Sequence, residues 1–319
     1  MTIKEAAKPT LAAGWVLLQV EAVGICGSEI SGYLGENDLR RPPLVMGHEF
    51  SGTVAECEAA TDLAVGTRVT ANPLISCGVC RDCRAGQRQR CLQRKIIGID
   101  FPGGYAEWVA VPAAQCYPVD DIEDGAMVEP LACALRAVEL THVETGDDCV
   151  VIGAGIIGLM AAGLLARAGA RRIAVVDPNP SRRQAASPWG ATAVFASTDE
   201  LAANFPEGVD RVVDAVGLSA TRRQSLDVLR RGGRAVWIGL HQNQTEVAGN
   251  AIVRDETSVV GSFCYTDHNF SRAVQLVNDG QAFPSNRGWL DVRPLEAGDA
   301  AFREQARGPA PYAKILLRL

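Results

Sequence analysis

From about residue 147 to residue 263, short apolar runs alternate with stretches of helical period, and each run has the length of a strand buried on both faces. Asp148–Ile152 reads as the first strand and is followed by a helix running through Ala168. Ile173–Asp177 is the next strand, and Ser181-x-x-Gln184 has the form of a capping box opening the helix after it. Pro188 must end that helix early. Arg211–Val216, Arg234–Gly239 and Ser258–Phe263 read as further strands, with Ala220–Leu229 as a helix between the first two. A weaker strand at Thr192–Phe195 brings the count to six. Alternation of this kind predicts a parallel, doubly wound sheet with right-handed crossovers. The first 120 residues differ. Trp15–Val23 alternates as a strand, glycine and proline recur from Gly24 to Gly104, and Arg68–Ala71 and Ala106–Val111 are short strand-like runs. The tail closes on the strand-like Lys314–Leu319. The pattern predicts an α/β chain of two units, a β-rich one from residues 1–130 and 263–319 and a doubly wound one from 131–262.

Length and composition agree with this. The 319 residues are ample for two cores, and 47% hydrophobic with 21% charged residues is the balance of a folded chain. A net charge of −6 argues against a nucleic-acid partner. No stretch approaches the roughly 20 apolar residues of a membrane helix. The longest apolar run, Cys149–Ala166, is interrupted by four glycines. The opening residues lack the apolar segment of a secretory signal, so a cytoplasmic protein is expected.

Four of the ten cysteines stand together as Cys77-x2-Cys80-x2-Cys83-x7-Cys91. In a long chain from a reducing compartment such clustering points to metal rather than to disulfides. Four thiolates in one loop can fill a tetrahedral zinc and leave no position for substrate, which makes the site structural. An iron–sulfur cluster also takes four thiolates, and four merely buried cysteines are the plainer alternative. A second constellation joins Cys26 and Ser28, in Gly24-Ile-Cys26-Gly-Ser28, to His48 and Glu49. Each alone is more often a packed residue. Together they offer a thiolate, an imidazole and a carboxylate, enough for a catalytic zinc with one open position. Glu129, within an apolar stretch, needs a partner or a metal and is a further candidate. The third signal is Gly153-Ala-Gly155-Ile156-Ile157-Gly158, which follows a strand, opens a helix and precedes Asp177 by 19 residues. That is the dinucleotide fingerprint in its required context. Asp177 would accept from the adenosine ribose hydroxyls and repel a 2′-phosphate, favouring NAD over NADP. Arg182, five residues on, reaches the ribose or, alternatively, an NADP phosphate. Val216 and Ile238, on two later strands, complete the candidate cofactor set.

These motifs, with Gly47-His48-Glu49-Phe-Ser-Gly52 and Gly103-Gly104-Tyr-Ala-Glu107, resemble the zinc-dependent medium-chain dehydrogenases over nearly the whole chain. Glu129-Pro-Leu, Ile122-Glu-Asp-Gly-Ala126 and Val260-Gly-Ser262 are similar to the polyol branch, which holds the sorbitol, threonine and galactitol-1-phosphate enzymes. The resemblance implies a GroES-like catalytic unit beside a Rossmann cofactor unit. It also implies oxidation of a secondary alcohol to a ketone with NAD, a small-molecule partner, and a homodimer or homotetramer. Cys26 and His48 would hold the catalytic zinc, with Glu49 and Glu129 as carboxylate partners. Cys77, Cys80, Cys83 and Cys91 would hold the structural zinc, and Ser28 would begin the proton relay. An NADP-linked reductase of a biosynthetic ketone, or a non-catalytic protein that binds cofactor and zinc, are the alternatives. Two features depart from the family. The chain is short at its N-terminus, which puts an outer hairpin in doubt, and Pro188-Trp189 is unusual near the adenine side. Glu36, Asn37, Asp38, Arg40 and Arg41, between the two ligand motifs, suit either a polar substrate or a solvated loop, and Arg40 or Arg41 could meet a phosphate.

Overall fold

The computed structural model describes residues 1–36, 38–58, 61–308 and 310–319. All six strands expected in the second half of the chain form one sheet, ordered Ala193–Phe195, Arg172–Val176, Asp148–Ile152, Val209–Asp214, Leu229–Trp237 and Ser258–Gly261. Every pairing in it is parallel. By chain position the order is 3-2-1-4-5-6. It reverses between Asp148–Ile152 and Val209–Asp214, where a doubly wound sheet opens a crevice at its carboxyl edge. All of Asp148–Ile152 is buried, as the unbroken apolar run requires.

The helix after the second strand differs from the expectation. It spans only Pro180–Gln184, and its cap is Asn179, whose side chain accepts from the backbone N–H groups of Ser181 and Arg182. Ser181 therefore lies inside the helix, because Pro180 suits its first position and lacks the N–H a cap would have to satisfy. Pro188 is the second residue of a 3-10 turn, Ser187–Trp189, that carries Trp189 into the core. There the indole packs edge-on against Trp289, with ring centroids 5.0 Å apart.

A second sheet has seven strands, in the order Leu290–Pro294, Lys314–Arg318, Trp15–Gly24, Phe50–Cys57, Arg68–Ala71 and Cys116–Pro118, with Trp108–Pro112 also pairing Trp15–Gly24, and a small third one pairs Leu74–Ile75 with Lys95–Ile96. Phe50–Cys57 and Leu290–Pro294 had no clear alternation to announce them. The C-terminal strand joins the N-terminal one in antiparallel register, Val23 opposite Leu317, so the end of the chain completes the first sheet. The helix Val128–Thr141 links the two halves. One apolar core runs from Ala22 and Leu316 through Val128 and Leu131 to Val151 and Leu159. No helix among the described residues is long and apolar enough to cross a membrane.

Candidate active site

Cys26 ends the turn after Trp15–Gly24 and stands immediately before the helix Gly27–Tyr33. His48 and Glu49 enter from the segment leading into Phe50–Cys57. Their ligand atoms all lie within 4.8 Å of one another, with His48 and Glu49 buried. Donors that share one zinc at 2.0–2.3 Å sit up to about 4 Å apart, so the trio fits a single ion after a small contraction.

What holds the trio is a residue the motif analysis passed over. Glu29, fully buried, accepts from His48 Nδ1 at 2.9 Å, from the Gly47 N–H at 2.9 Å and from the Cys26 N–H at 3.2 Å. The Tyr105 hydroxyl donates to its second oxygen. Burial alone would raise the Glu29 carboxyl, but the facing His48, with these donors, carries it down to about 2. An ionised Glu29 fixes the Nδ1–H tautomer and leaves Nε2 of His48 as the ligand atom. Burial pulls the His48 imidazole down, and the Glu29 carboxylate beside it outweighs that and draws it up. Glu49 is paired with Lys314, also buried, whose ammonium donates to the Ile25 carbonyl at 3.0 Å as well. A lysine directly before the apolar run Ile315–Leu317 and a glutamate three residues after Cys26 were the available signals for these two.

Ser28 is exposed at the rim, and its hydroxyl donates to Cys26 Sγ at 3.2 Å. Glu129 lies in the first turn of Val128–Thr141, buried, with Cys133 Sγ at 3.8 Å from it. The structure leaves it outside the ligand trio. Burial pushes its carboxyl up to about 7.

Cys77, Cys80, Cys83 and Cys91 converge, their sulfurs all within 4.8 Å of one another. The Cys77–Cys83 separation is 3.9 Å, close to the roughly 3.8 Å edge of a tetrahedron of sulfurs around one zinc. Backbone N–H groups of Val79 and Cys80 carry the Cys77 thiol down to about 6, toward the thiolate a metal needs.

Gly153, Asp177, Val216 and Ile238 all follow carboxyl ends of parallel strands, on one edge of the six-stranded sheet. Gly153 has φ of +100°, and Gly155 caps the helix Ile156–Arg167 with open space around its α-carbon. Ile156 and Ile157 form the first turn, whose N–H groups are suited to a pyrophosphate. Asp177 accepts from the Ala154 and Asn179 N–H groups, both at 2.8 Å, tying the turn to the second strand. Each of its oxygens keeps a lone pair for a ribose hydroxyl. Arg182 turns elsewhere, its Nε donating to the Ala310 carbonyl at 3.2 Å. Val216 lies over Gly153, and Asp214, unrecognised in the sequence, holds that loop by accepting from the Val216 and Gly217 N–H groups. A methyl on Gly158 would stand 1.8 Å from the Gly153 carbonyl oxygen. Gly158→Ala should therefore cost about 3 kcal/mol of stability and weaken dinucleotide binding at least about tenfold. Thermal denaturation and NADH fluorescence titration check both.

The loop between the ligand motifs divides. Glu36, Asp38 and Arg41 are exposed, Arg40 is buried, and Asn37 lies outside the described residues.

Comparison with known proteins agrees with this geometry. Residues 12–121 match the alcohol dehydrogenase GroES-like domain, and residues 157–279 match the zinc-binding dehydrogenase family. The chain is 30% identical over 274 residues to the L-galactonate-5-dehydrogenase of Escherichia coli K12, covering 83% of this chain and 80% of that one. Among solved structures, it is similar to a zinc-binding dehydrogenase of Sinorhizobium meliloti 1021 bound to NADP, with TM-score 0.90, 32% identity and 98% and 94% coverage. It is also similar to the galactitol-1-phosphate dehydrogenase of Escherichia coli, with TM-score 0.89, 25% identity and 99% and 96% coverage.

Proposed function

The chain belongs to the zinc-dependent medium-chain dehydrogenases, and from that premise we propose that it oxidises a secondary alcohol of a polyhydroxylated substrate to a ketone with NAD. The observation that carries this reading is the Cys26, His48 and Glu49 trio buttressed by Glu29, in a fold whose other sheet presents a dinucleotide turn. The names of the relatives point to polyols, sugar acids and sugar phosphates as the substrate range.

Cys26, His48 Nε2 and Glu49 would hold the catalytic zinc. When bound, the metal supplies Lewis acidity to the carbinol oxygen and the dinucleotide accepts the hydride. Glu29 keeps His48 in one tautomer and orientation. Lys314 balances the buried Glu49 charge. Ser28, at the exposed rim, would take the hydroxyl proton and pass it to solvent. A ketone, reduced cofactor and one proton result. Residues 131–262 would bind the cofactor, and residues 1–130 with 263–319 the metals. Four thiolates at this spacing favour one structural zinc over a cubane cluster, whose thiolates sit on separate irons and are held farther apart.

Asp177, at the carboxyl end of the second strand, supports NAD over NADP, because a carboxylate that accepts from the adenosine ribose would repel a 2′-phosphate. Asp177→Ala should weaken NAD about tenfold, through one lost charge-assisted hydrogen bond, and narrow the preference over NADP. Titration of the four enzyme and cofactor pairs checks this, and a wild-type enzyme tighter for NADP contradicts it. The NADP in the Sinorhizobium meliloti structure favours a second reading, an NADP-linked ketone reductase. All ten cysteines are free, which fits a reducing cytoplasm. The edge strand Ser258–Gly261 offers a face for a second copy, in keeping with a homodimer or homotetramer.

A further inference from the structure

Arg40 and Arg41 are adjacent in sequence and opposite in fate. Arg41 projects into solvent, its side chain 79% exposed, and among the described residues it reaches Asp38, which is more exposed still. Arg40 is 7% exposed. Its stem crosses the helix Gly27–Tyr33 at Gly32, where a methyl would lie 2.7 Å from Arg40 Cδ and 3.1 Å from its Cβ. A side chain at residue 32 would expel it, so the missing Cβ makes the path. The guanidinium ends at the rim of the ligand trio, donating from Nη2 to Ser28 Oγ at 3.0 Å, and Ser28 in turn lies 3.2 Å from Cys26 Sγ.

This charge is poorly answered. The hydrogen bond to Ser28 is the one its guanidinium makes among the described residues, and Nε is enclosed with no partner. The nearest carboxylate in charge terms, Glu29, has its oxygens occupied by His48, Tyr105 and two backbone N–H groups. A buried guanidinium normally has its fork of donors filled, most often by a planar pair of oxygens. We propose that Arg40 receives the carboxylate of the substrate, so that the preferred alcohols are polyhydroxylated acids of the aldonate type, whose carbinol lies a few carbons from the acid group. A carboxylate is favoured over a phosphate because one guanidinium matches its charge and its two-oxygen plane. Arg40 is then a specificity residue rather than a catalytic one. The inference rests on the dehydrogenase reading above.

The test sets galactonate, gluconate and mannonate each against the alditol of the same configuration and its 1-phosphate, with NAD, in the wild type and in Arg40→Gln, Arg40→Lys and Gly32→Ala. The wild type should favour the acid of at least one pair about a hundredfold in kcat/KM. Arg40→Gln should erase that ratio chiefly through KM, and Arg40→Lys should retain part of it. Gly32→Ala, which displaces the arginine without changing charge, should lower it at least about tenfold. The preferred acid should also raise the melting temperature of the NADH-bound wild type and not that of Arg40→Gln. A ratio that survives in Arg40→Gln, a preference for the alditol, or a preference for the phosphate overturns the proposal. Oxidation confined to other secondary alcohols overturns it while leaving the dehydrogenase reading intact. If no secondary alcohol reduces the cofactor, the dehydrogenase reading itself falls.

Discussion

Replacing Cys26 with serine is expected to remove one of two bound zinc ions and lower kcat/KM for secondary-alcohol oxidation at least about a thousandfold, or about 4 kcal/mol of transition-state stabilisation. The thiolate is one of three donors converging within 4.8 Å, and serine offers a weaker, protonated oxygen at a shifted distance. His48→Ala should do the same, for it removes both a donor and the group that Glu29 is built to hold. Dinucleotide affinity should change little in either variant, because the Gly153–Gly158 turn belongs to the other sheet. Folding should also survive, since Cys26 sits at a partly exposed helix start rather than in the apolar core. Metal analysis, NADH titration and steady-state rates separate these effects. A Cys26→Ser protein with two zincs and full turnover contradicts the site.

Cys83→Ser should act in the opposite order. Cys83 is buried and shares a loop with Cys77, Cys80 and Cys91, a segment whose only regular pieces are the short helix Arg81–Arg84 and the turn Arg88–Arg90. Little apolar surface holds such a lobe, so metal binding is itself the folding energy of that part of the chain. The variant should lose one zinc and melt about 5 °C lower, equivalent to roughly 3 kcal/mol in a chain of this length. Activity should persist at low temperature until the lobe opens. Unchanged zinc content and unchanged melting would remove the structural assignment.

The two halves of the chain were unequally legible. A strand buried on both faces must be apolar throughout, so Asp148–Ile152 and its neighbours stand out as runs, and the glycine turn marks the carboxyl edge they share. The antiparallel sheet shows less, because Phe50–Cys57 has glycine and serine at its start and Leu290–Pro294 is only partly buried. Metal donors were legible from type and spacing. Their supports were not. Glu29 lies 19 residues from His48, Tyr105 76 from Glu29 and Lys314 265 from Glu49, and no local pattern records such meetings. The same holds for Arg40 and Arg41, which composition treats alike. Only the path over Gly32 sends one inward. The Asn179 cap was missed because Ser181 and Gln184 stood at the right spacing for another.

The most direct measurement is NADH formation from a panel of secondary alcohols by the two-zinc protein, repeated after chelation of the metal and after zinc is returned. The account predicts oxidation that disappears with the zinc and returns with it, while NADH affinity stays within about twofold, since the dinucleotide turn takes no part in holding metal. Full turnover by the metal-free protein, or no reduction of NAD by the two-zinc protein with any secondary alcohol, would contradict it.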